Sequence, residues 1–177
     1  MDARLTWRPW IVLLAAVVLL YAGLSWRNRD ENRISRRLEH LSKVFAKAPG
    51  ESSLSSLRRA QEIAAAFTAQ PEVRLGPYLP DLFNRQDLAA AVHHARALMD
   101  EIRASIRDKT TRVAEDRRSA TTDLAVEGVF VYQGQGDRKI TECRIQWVKE
   151  DGQWLIQAFE PQEVIKPPRR LRTQAPP

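Results

Sequence analysis

A chain of 177 residues with 44% hydrophobic and 28% charged side chains is sized for one folded domain. Its formal net charge of +6 suggests a polyanion partner until it is divided: residues 1–37 hold +4 and residues 166–177 another +4, leaving 38–165 at −2. A near-neutral domain without interleaved basic and aromatic residues excludes phosphate-backbone binding, so no nucleic-acid partner is expected.

The apolar content is concentrated near the start. Residues 10–26, WIVLLAAVVLLYAGLSW, carry no charge and hold a continuous aliphatic run from Ile11 to Leu20. As a helix this stretch spans roughly 26 Å, the short end of a bilayer core. Trp7, Trp10, Tyr21 and Trp26 flank the run as an interfacial aromatic belt does, and Arg4, Arg8, Arg27 and Arg29 bracket it. A cleaved signal peptide needs a small-x-small site, and YAGLSWRNR supplies a poor one; a core helix would show a polar face, which is missing. The expected organisation is a short tail over 1–9, a transmembrane helix over 10–26, a basic juxtamembrane linker over 27–33, a folded domain over 34–165 and a disordered Pro/Arg-rich tail over 166–177. The first expected partner is therefore the lipid bilayer.

Within the domain, Ile34, Leu38, Leu41 and Phe45 recur at helical spacing, one face of a helix running to about Lys47. APGESS breaks it, and Ser53 is placed to cap a second helix that carries Leu54, Leu57, Ile63, Ala64 and Phe67 to about Ala69. Pro71 and Gly76 bracket a short extended piece. YLPDLFNRQDL then leads into a third helix from about Asn84 or Gln86, with Leu88, Val92, Leu98, Met99 and Ile102 on its buried side.

From about Ala104 the period drops to two. The pattern predicts strands over 104–114, 119–132, 138–149 and 153–165, separated by EDRR, QGQGD and EDG. Ala120, Leu124, Val126, Phe130 and Tyr132 share one face of the second strand; Cys143, Ile145 and Trp147 share one face of the third. Trp154, Ile156 and Ala158 oppose Leu155, Gln157 and Phe159 on the last, and Trp154 is placed to pack beside Trp147 across the hairpin. Cys143 is the one cysteine, which excludes an intramolecular disulfide and leaves it the role of a small buried hydrophobe. Helices first and antiparallel strands after is an α+β layout.

The helix pair, the short strand at EVRLG, the LFNRQDL entry into a long helix and the closing VKEDGQWLIQAFEP together resemble the nuclear transport factor 2-like (SnoaL-like) superfamily over residues 34–165. The resemblance is nearest to bacterial members with one N-terminal membrane helix and no assigned activity. It implies a cone-shaped roll, three helices packed on a curved antiparallel sheet, used by some members for isomerase, dehydratase or hydrolase chemistry and by others for dimerisation or assembly. It also implies the bacterial inner membrane. Arg27, Arg29, Arg33, Arg36 and Arg37 outnumber Arg4 and Arg8, so charge counting places the domain in the cytoplasm, whereas the resemblance places it in the periplasm, the side adopted here.

Candidate chemistry is sparse. Catalysis inside such a cone needs a carboxylate or imidazole base with a Tyr or Asp donor. Tyr78 and Asp81 lie in the loop that borders the cone mouth in this superfamily, and His93 and His94 follow on the third helix, about 100° apart, so that at most one faces inward. Alternation sends Asp123 and Glu127 outward, and Glu142 with Arg144 reads as cross-strand salt-bridging. GQGDR at Gly134 lies between strands with no helix following, so it is a turn and not a dinucleotide loop. No cofactor and no metal site is expected. The leading expectation is a single-pass membrane protein presenting a non-catalytic roll for binding, dimerisation or assembly, as a homodimer or within an envelope protein complex. Val129, Val131, Leu155 and Phe159 are its candidate interface residues. The alternative is a small-molecule carrier or an isomerase/dehydratase-type enzyme using the cone.

Overall fold

In the computed structural model, residues 29–74 and 80–165 are described. Three helices, α1 (residues 29–45), α2 (Ser53–Ala64) and α3 (Arg85–Leu98), pack against one five-stranded sheet. Its strands are β1 (Phe67–Val73), β2 (Glu101–Val113), β3 (Ser119–Tyr132), β4 (Gln135–Glu150) and β5 (Gln153–Ile165), in the spatial order β1-β5-β4-β3-β2. The expected segments 10–26 and 166–177 lie outside the described residues, as do the belt residues Trp7, Trp10, Tyr21 and Trp26. Among the described residues no helix is long and apolar enough to cross a membrane.

The antiparallel part matches the alternation. Gln133–Gly134 and Asp151–Gly152 all have positive φ, which matches the strand twist and closes β3–β4 and β4–β5 as two-residue hairpins. Gly136 and Asp137, read from sequence as turn residues, therefore belong to β4. The sheet is not purely antiparallel: β1 pairs in parallel with β5, with Phe67 opposite Ile156 and Val73 opposite Phe159. This pairing takes Phe67–Ala69 out of the expected second helix, and Ile156 N–H donates to the Ala66 carbonyl at 2.9 Å. Pro71 is tolerated because β1 is an edge strand.

The helices also differ from their predicted faces. Ser52, not Ser53, caps α2 by accepting from Ser55 N–H, and its buried stripe is Ser56, Ala60, Ile63 and Ala64, while Leu54 and Leu57 are exposed. Asn84 caps α3 through Asp87 N–H at 2.7 Å. That helix stops at Leu98, which is exposed, and Ile102 is buried as part of β2.

The folded unit starts before Ile34. Residues 29–33 are the first turns of α1, and Asp30 is buried rather than part of a linker. Its Oδ1 accepts from Lys149 Nζ at 2.9 Å and Trp154 Nε1 at 3.2 Å, tying the start of α1 to the closing hairpin. Burial pushes the Asp30 carboxyl up, but the Lys149 and Trp154 hydrogen bonds, with the charges of Lys149 and Arg33, hold it below its ordinary value. A depressed carboxylate stabilises the fold above its unfolded value, about 4, and that contribution disappears as pH falls through the folded value. Asp30→Asn is accordingly expected to lower the melting temperature at pH 7, with the gap to the parent narrowing as pH falls below about 4; thermal melts across a pH series measure it.

Candidate functional site

The sheet and the helices enclose an apolar interior. Ile34, Leu38 and Val44 of α1 join Leu124, Cys143, Ile145, Trp147, Trp154 and Ile156 in one apolar cluster. Trp147 and Trp154 are 1% and 3% exposed, so both tryptophans of the closing hairpin face the core as alternation implies. Several polar groups on this face are engaged with one another. Trp147 Nε1 donates to Thr122 Oγ1 at 3.0 Å, and Thr122 shares a second hydrogen bond with Thr111 at 3.0 Å. Lys109 reaches Glu39 of α1 at 2.6 Å, and Trp154 is held by Asp30 as above. Cys143 is buried and its thiol is pushed up to about 11 by desolvation, which removes it as a nucleophile near neutral pH.

Of the sequence-predicted mouth residues, Asp81, His93 and His94 are among the described residues. Tyr78 lies outside the described residues. Asp81 is exposed beside the Val73–Leu82 bridge, and His94 is exposed on α3. His93 is half-buried with Nδ1 unpartnered. Among the described residues no hydrogen bond or ion pair joins Asp81 to either histidine. Thr68 Oγ1 and Arg85 Nε are also buried without partners, but Arg85 bonds the Phe67 carbonyl, eight residues and about 12 Å along α3 from His93. Among the described residues no cluster of three metal-ligating side chains occurs.

The opposite face of the sheet is a lattice of ion pairs. Asp123 bridges Arg144 of β4 at 2.8 Å and Arg112 of β2 at 3.2 Å. The Arg144 hydrogen bond is the largest influence on Asp123 and holds its carboxyl below the ordinary range despite some burial. Glu127 lies between Arg138 and Arg107. It faces outward as alternation requires, yet it is buried, because the two guanidinium groups close over it. Burial raises its pKa, and the hydrogen bonds from Arg107 and Arg138 outweigh that and lower it. Arg144 thus pairs across the strands with Asp123, as the cross-strand reading of that face expects. Arg74 pairs with Glu72 at 2.7 Å and with Glu160 at 2.8 Å. A depression of about 60 Å³ between Glu72, Arg74, Arg144, Gln146 and Glu160 is far smaller than the roughly 300 Å³ a metabolite pocket needs.

Of the candidate interface residues, Val129, Val131 and Leu155 are half-buried on this outer face, joined by Ile140 opposite Glu127. Phe159 is not there. A bulge at Gln157 places Ala158 opposite Gln146 and Ile156 opposite Trp147, which reverses the parity of β5 and packs Phe159 on the core.

Sequence reasoning missed the most buried charge. Arg96 of α3 is 0% exposed and donates to the Val44, Phe45 and Ala46 carbonyls at 3.2, 2.5 and 3.3 Å, satisfying the end of α1 that has no further turn to bond to. It also meets Glu51 at 2.5 Å and Ser56 Oγ at 3.3 Å. The readable signal was its place four residues after Val92 and eight after Leu88, on the apolar stripe of α3 near its C-terminus. One guanidinium thereby clamps all three helices.

No protein-family model matches the chain, and no curated protein matches it. Solved structures do. A putative scytalone dehydratase from Novosphingobium aromaticivorans is 16% identical over 80% of this chain and 90% of its own, with a TM-score of 0.62. A nuclear transport factor 2-like protein with a cystatin-like fold from the same organism is 15% identical over 80% and 86%, with a TM-score of 0.61. A putative calcium/calmodulin dependent protein kinase II association domain from Xanthomonas campestris is 12% identical over 72% and 83%, with a TM-score of 0.59. These likenesses and the element order agree with the resemblance read from the sequence: the fold is the nuclear transport factor 2-like cone, here with three helices on a mixed sheet of five strands.

Proposed function

We propose that the protein is a single-pass bacterial inner-membrane protein that presents its roll in the periplasm as a non-catalytic binding or assembly module, through the outer face of the sheet. One observation carries this reading: the polar groups around the closing hairpin are engaged with one another, in the Thr111–Thr122–Trp147 chain and the Asp30–Lys149–Trp154 clasp, while half-buried Val129, Val131, Ile140 and Leu155 lie on the outer face. A reacting substrate would need a base and a donor aimed at shared empty space, and no hydrogen bond joins the buried unpartnered atoms, Thr68 Oγ1, Arg85 Nε and His93 Nδ1, to one another. The uncharged stretch 10–26 supplies the anchor. The putative association domain among the structural neighbours is named for assembly, and the putative scytalone dehydratase for catalysis, so the fold alone does not decide.

The test uses the full-length chain in lipid nanodiscs. Ile140→Asp and Val131→Asp are expected to abolish self-association or co-purification of a partner while circular dichroism stays native. Retention of all associations by both folded variants overturns the reading, as does saturable binding of a small molecule blocked by filling the interior. A C-terminal alkaline phosphatase fusion is expected to be active, which tests the periplasmic placement.

A further inference from the structure

We infer that the side of α1 turned away from the sheet lies on the anionic phospholipid headgroups of the bilayer, held there by Arg29, Arg33, Arg36 and Arg37. This adds a second contact surface to the anchored-module reading above and rests on it.

The first argument is where α1 carries its charge. At about 100° per residue, Ile34, Leu38 and Phe45 fall within about 40° of one another and pack on the core. Arg29, Arg33, Arg36 and His40 fall about 200–260° round from Ile34, on the opposite side, and all four are exposed. Arg37 flanks them at about 300° and is half-buried. The stripe from Arg29 to His40 is about 16 Å long, and Asp30, Glu31 and Glu39 of the same helix lie off it. Asp30 turns instead to Lys149 and Glu39 to Lys109. His40 meets Glu62 of α2 at 2.8 Å. Among the described residues, Arg29, Arg33, Arg36 and Arg37 form no hydrogen bond or ion pair. The sheet makes the contrast: Arg103, Arg107 and Arg112 of β2 and Arg138 and Arg144 of β4 each pair with a carboxylate. A chain that pairs the arginines of its sheet and leaves one helix face bare offers that face to anions from outside. Burial also holds the Arg37 guanidinium below its ordinary value, and no carboxylate offsets that cost until an anion arrives.

The second argument is what the stripe lacks. Among the described residues the exposed large hydrophobic side chains, such as Leu54, Phe83 and Leu98, all lie off α1, so a protein partner finds no apolar anchor there. No aromatic residue stands between Arg29 and His40 for a nucleic-acid base to stack on. A layer of anionic headgroups needs neither, and each basic residue near it strengthens binding roughly fivefold. In the sequence Arg29 follows the uncharged stretch 10–26 by three residues, where a basic cluster is within reach of headgroups. Because the stripe is opposite the core side of α1, seating it on the bilayer turns the outer sheet face away from the membrane, toward other chains.

The experiment attaches a thiol-reactive fluorophore to the full-length chain in nanodiscs whose lipids include a headgroup-linked quencher. His40→Cys labels the stripe and Gln146→Cys the outer sheet face; both positions are exposed, whereas Cys143 is 5% exposed and stays unlabelled. With phosphatidylglycerol present, quenching is expected to be strong at position 40 and weak at position 146. At position 40 it is expected to fall in phosphatidylcholine alone, or in about 1 M salt, where the screening length is about 3 Å. Combining Arg33→Gln, Arg36→Gln and Arg37→Gln is expected to weaken docking about a hundredfold, removing the phosphatidylglycerol-dependent part, with circular dichroism unchanged. Quenching at position 40 that ignores lipid charge, or that survives in the folded triple variant, overturns the inference. Release by inorganic phosphate but not by chloride at equal ionic strength overturns the lipid surface in favour of a free anion, and shielding of position 40 by a co-purified protein overturns it in favour of that protein. If alkaline carbonate extracts the chain from membranes, the anchored-module reading fails by itself. The extracted chain is then floated with phosphatidylglycerol vesicles, where the stripe still expects salt-sensitive binding, and its absence overturns the inference too.

Discussion

Arg96→Met is expected to cost about 3–5 kcal/mol of stability, the range for breaking a buried ion pair by removing one partner. Three losses act together. Glu51, itself 7% exposed, keeps a charge with only the more distant Arg59 nearby at 3.7 Å. The Val44 and Phe45 carbonyls lose their guanidinium donor at the end of α1, and Ser56 Oγ loses its contact. Arg96→Lys is expected to recover only a minor part, because an ammonium cannot fork between three carbonyls and a carboxylate. The double variant Arg96→Met with Glu51→Leu removes the stranded charge and should recover part of the loss, with the carbonyls still unsatisfied. Chemical denaturation of the four proteins measures each step; a single-variant cost under 1 kcal/mol would show that the clamp contributes little.

The second large effect is expected at Trp147. Its indole is 1% exposed at the centre of the concave face, and truncating a buried Trp to Ala costs about 3–5 kcal/mol through lost transfer energy and the cavity left behind. Thr122, 0% exposed, loses its indole donor as well, although Thr111 still satisfies its hydroxyl. Trp147→Phe keeps most of the volume and removes only the donor, so it is expected to cost about 1–2 kcal/mol. Equilibrium unfolding followed by circular dichroism separates the two. If Trp147→Ala costs no more than Trp147→Phe, water or solvent-filled space already surrounds the ring, and the closed interior is wrong.

Both predictions concern what the sequence shows unevenly. Strand positions were legible because alternation is a strong signal and the Asp151–Gly152 turn has one favoured geometry. Cys143, Ile145, Trp147, Trp154 and Ile156 are buried as the period implies. Parity failed one residue past Gln157, since a bulge leaves no mark in a run of alternating residues, and Phe159 moved from the presumed interface to the core. The second helix was read too long because Phe67 continues a helical stripe, and only pairing with β5, distant in sequence, takes it into a strand. Leu54 and Leu57 drew attention away from the small-residue stripe Ser56, Ala60 and Ala64, which lets α2 approach its neighbours closely.

The charged residues that organise the molecule were visible in retrospect. Asp30 precedes Ile34 by four residues, and Arg96 follows Val92 by four; each is a charge standing on an apolar stripe at a helix end. Such residues are retained when buried because a partner meets them, and the partners, Lys149 with Trp154 and Glu51 with the α1 carbonyls, lie 45 or more residues away in sequence. The candidate pocket residues are the converse case. Asp81, His93 and His94 have suitable chemistry, and nothing local in the sequence says whether they meet. The lattice on the outer face was half legible: alternation placed Asp123 and Glu127 and implied cross-strand pairing, but which carboxylate meets Arg144 depends on register.

The most direct measurement is a high-resolution electron cryomicroscopy map of the full-length chain in a lipid nanodisc. The account expects the outer sheet face to meet another protein chain, a second copy or a different partner, with the tryptophan-lined interior dry and a membrane helix preceding α1. A monomer whose roll holds ordered solvent or a bound small molecule, with a carboxylate and a phenol or imidazole directed at it, would contradict the account.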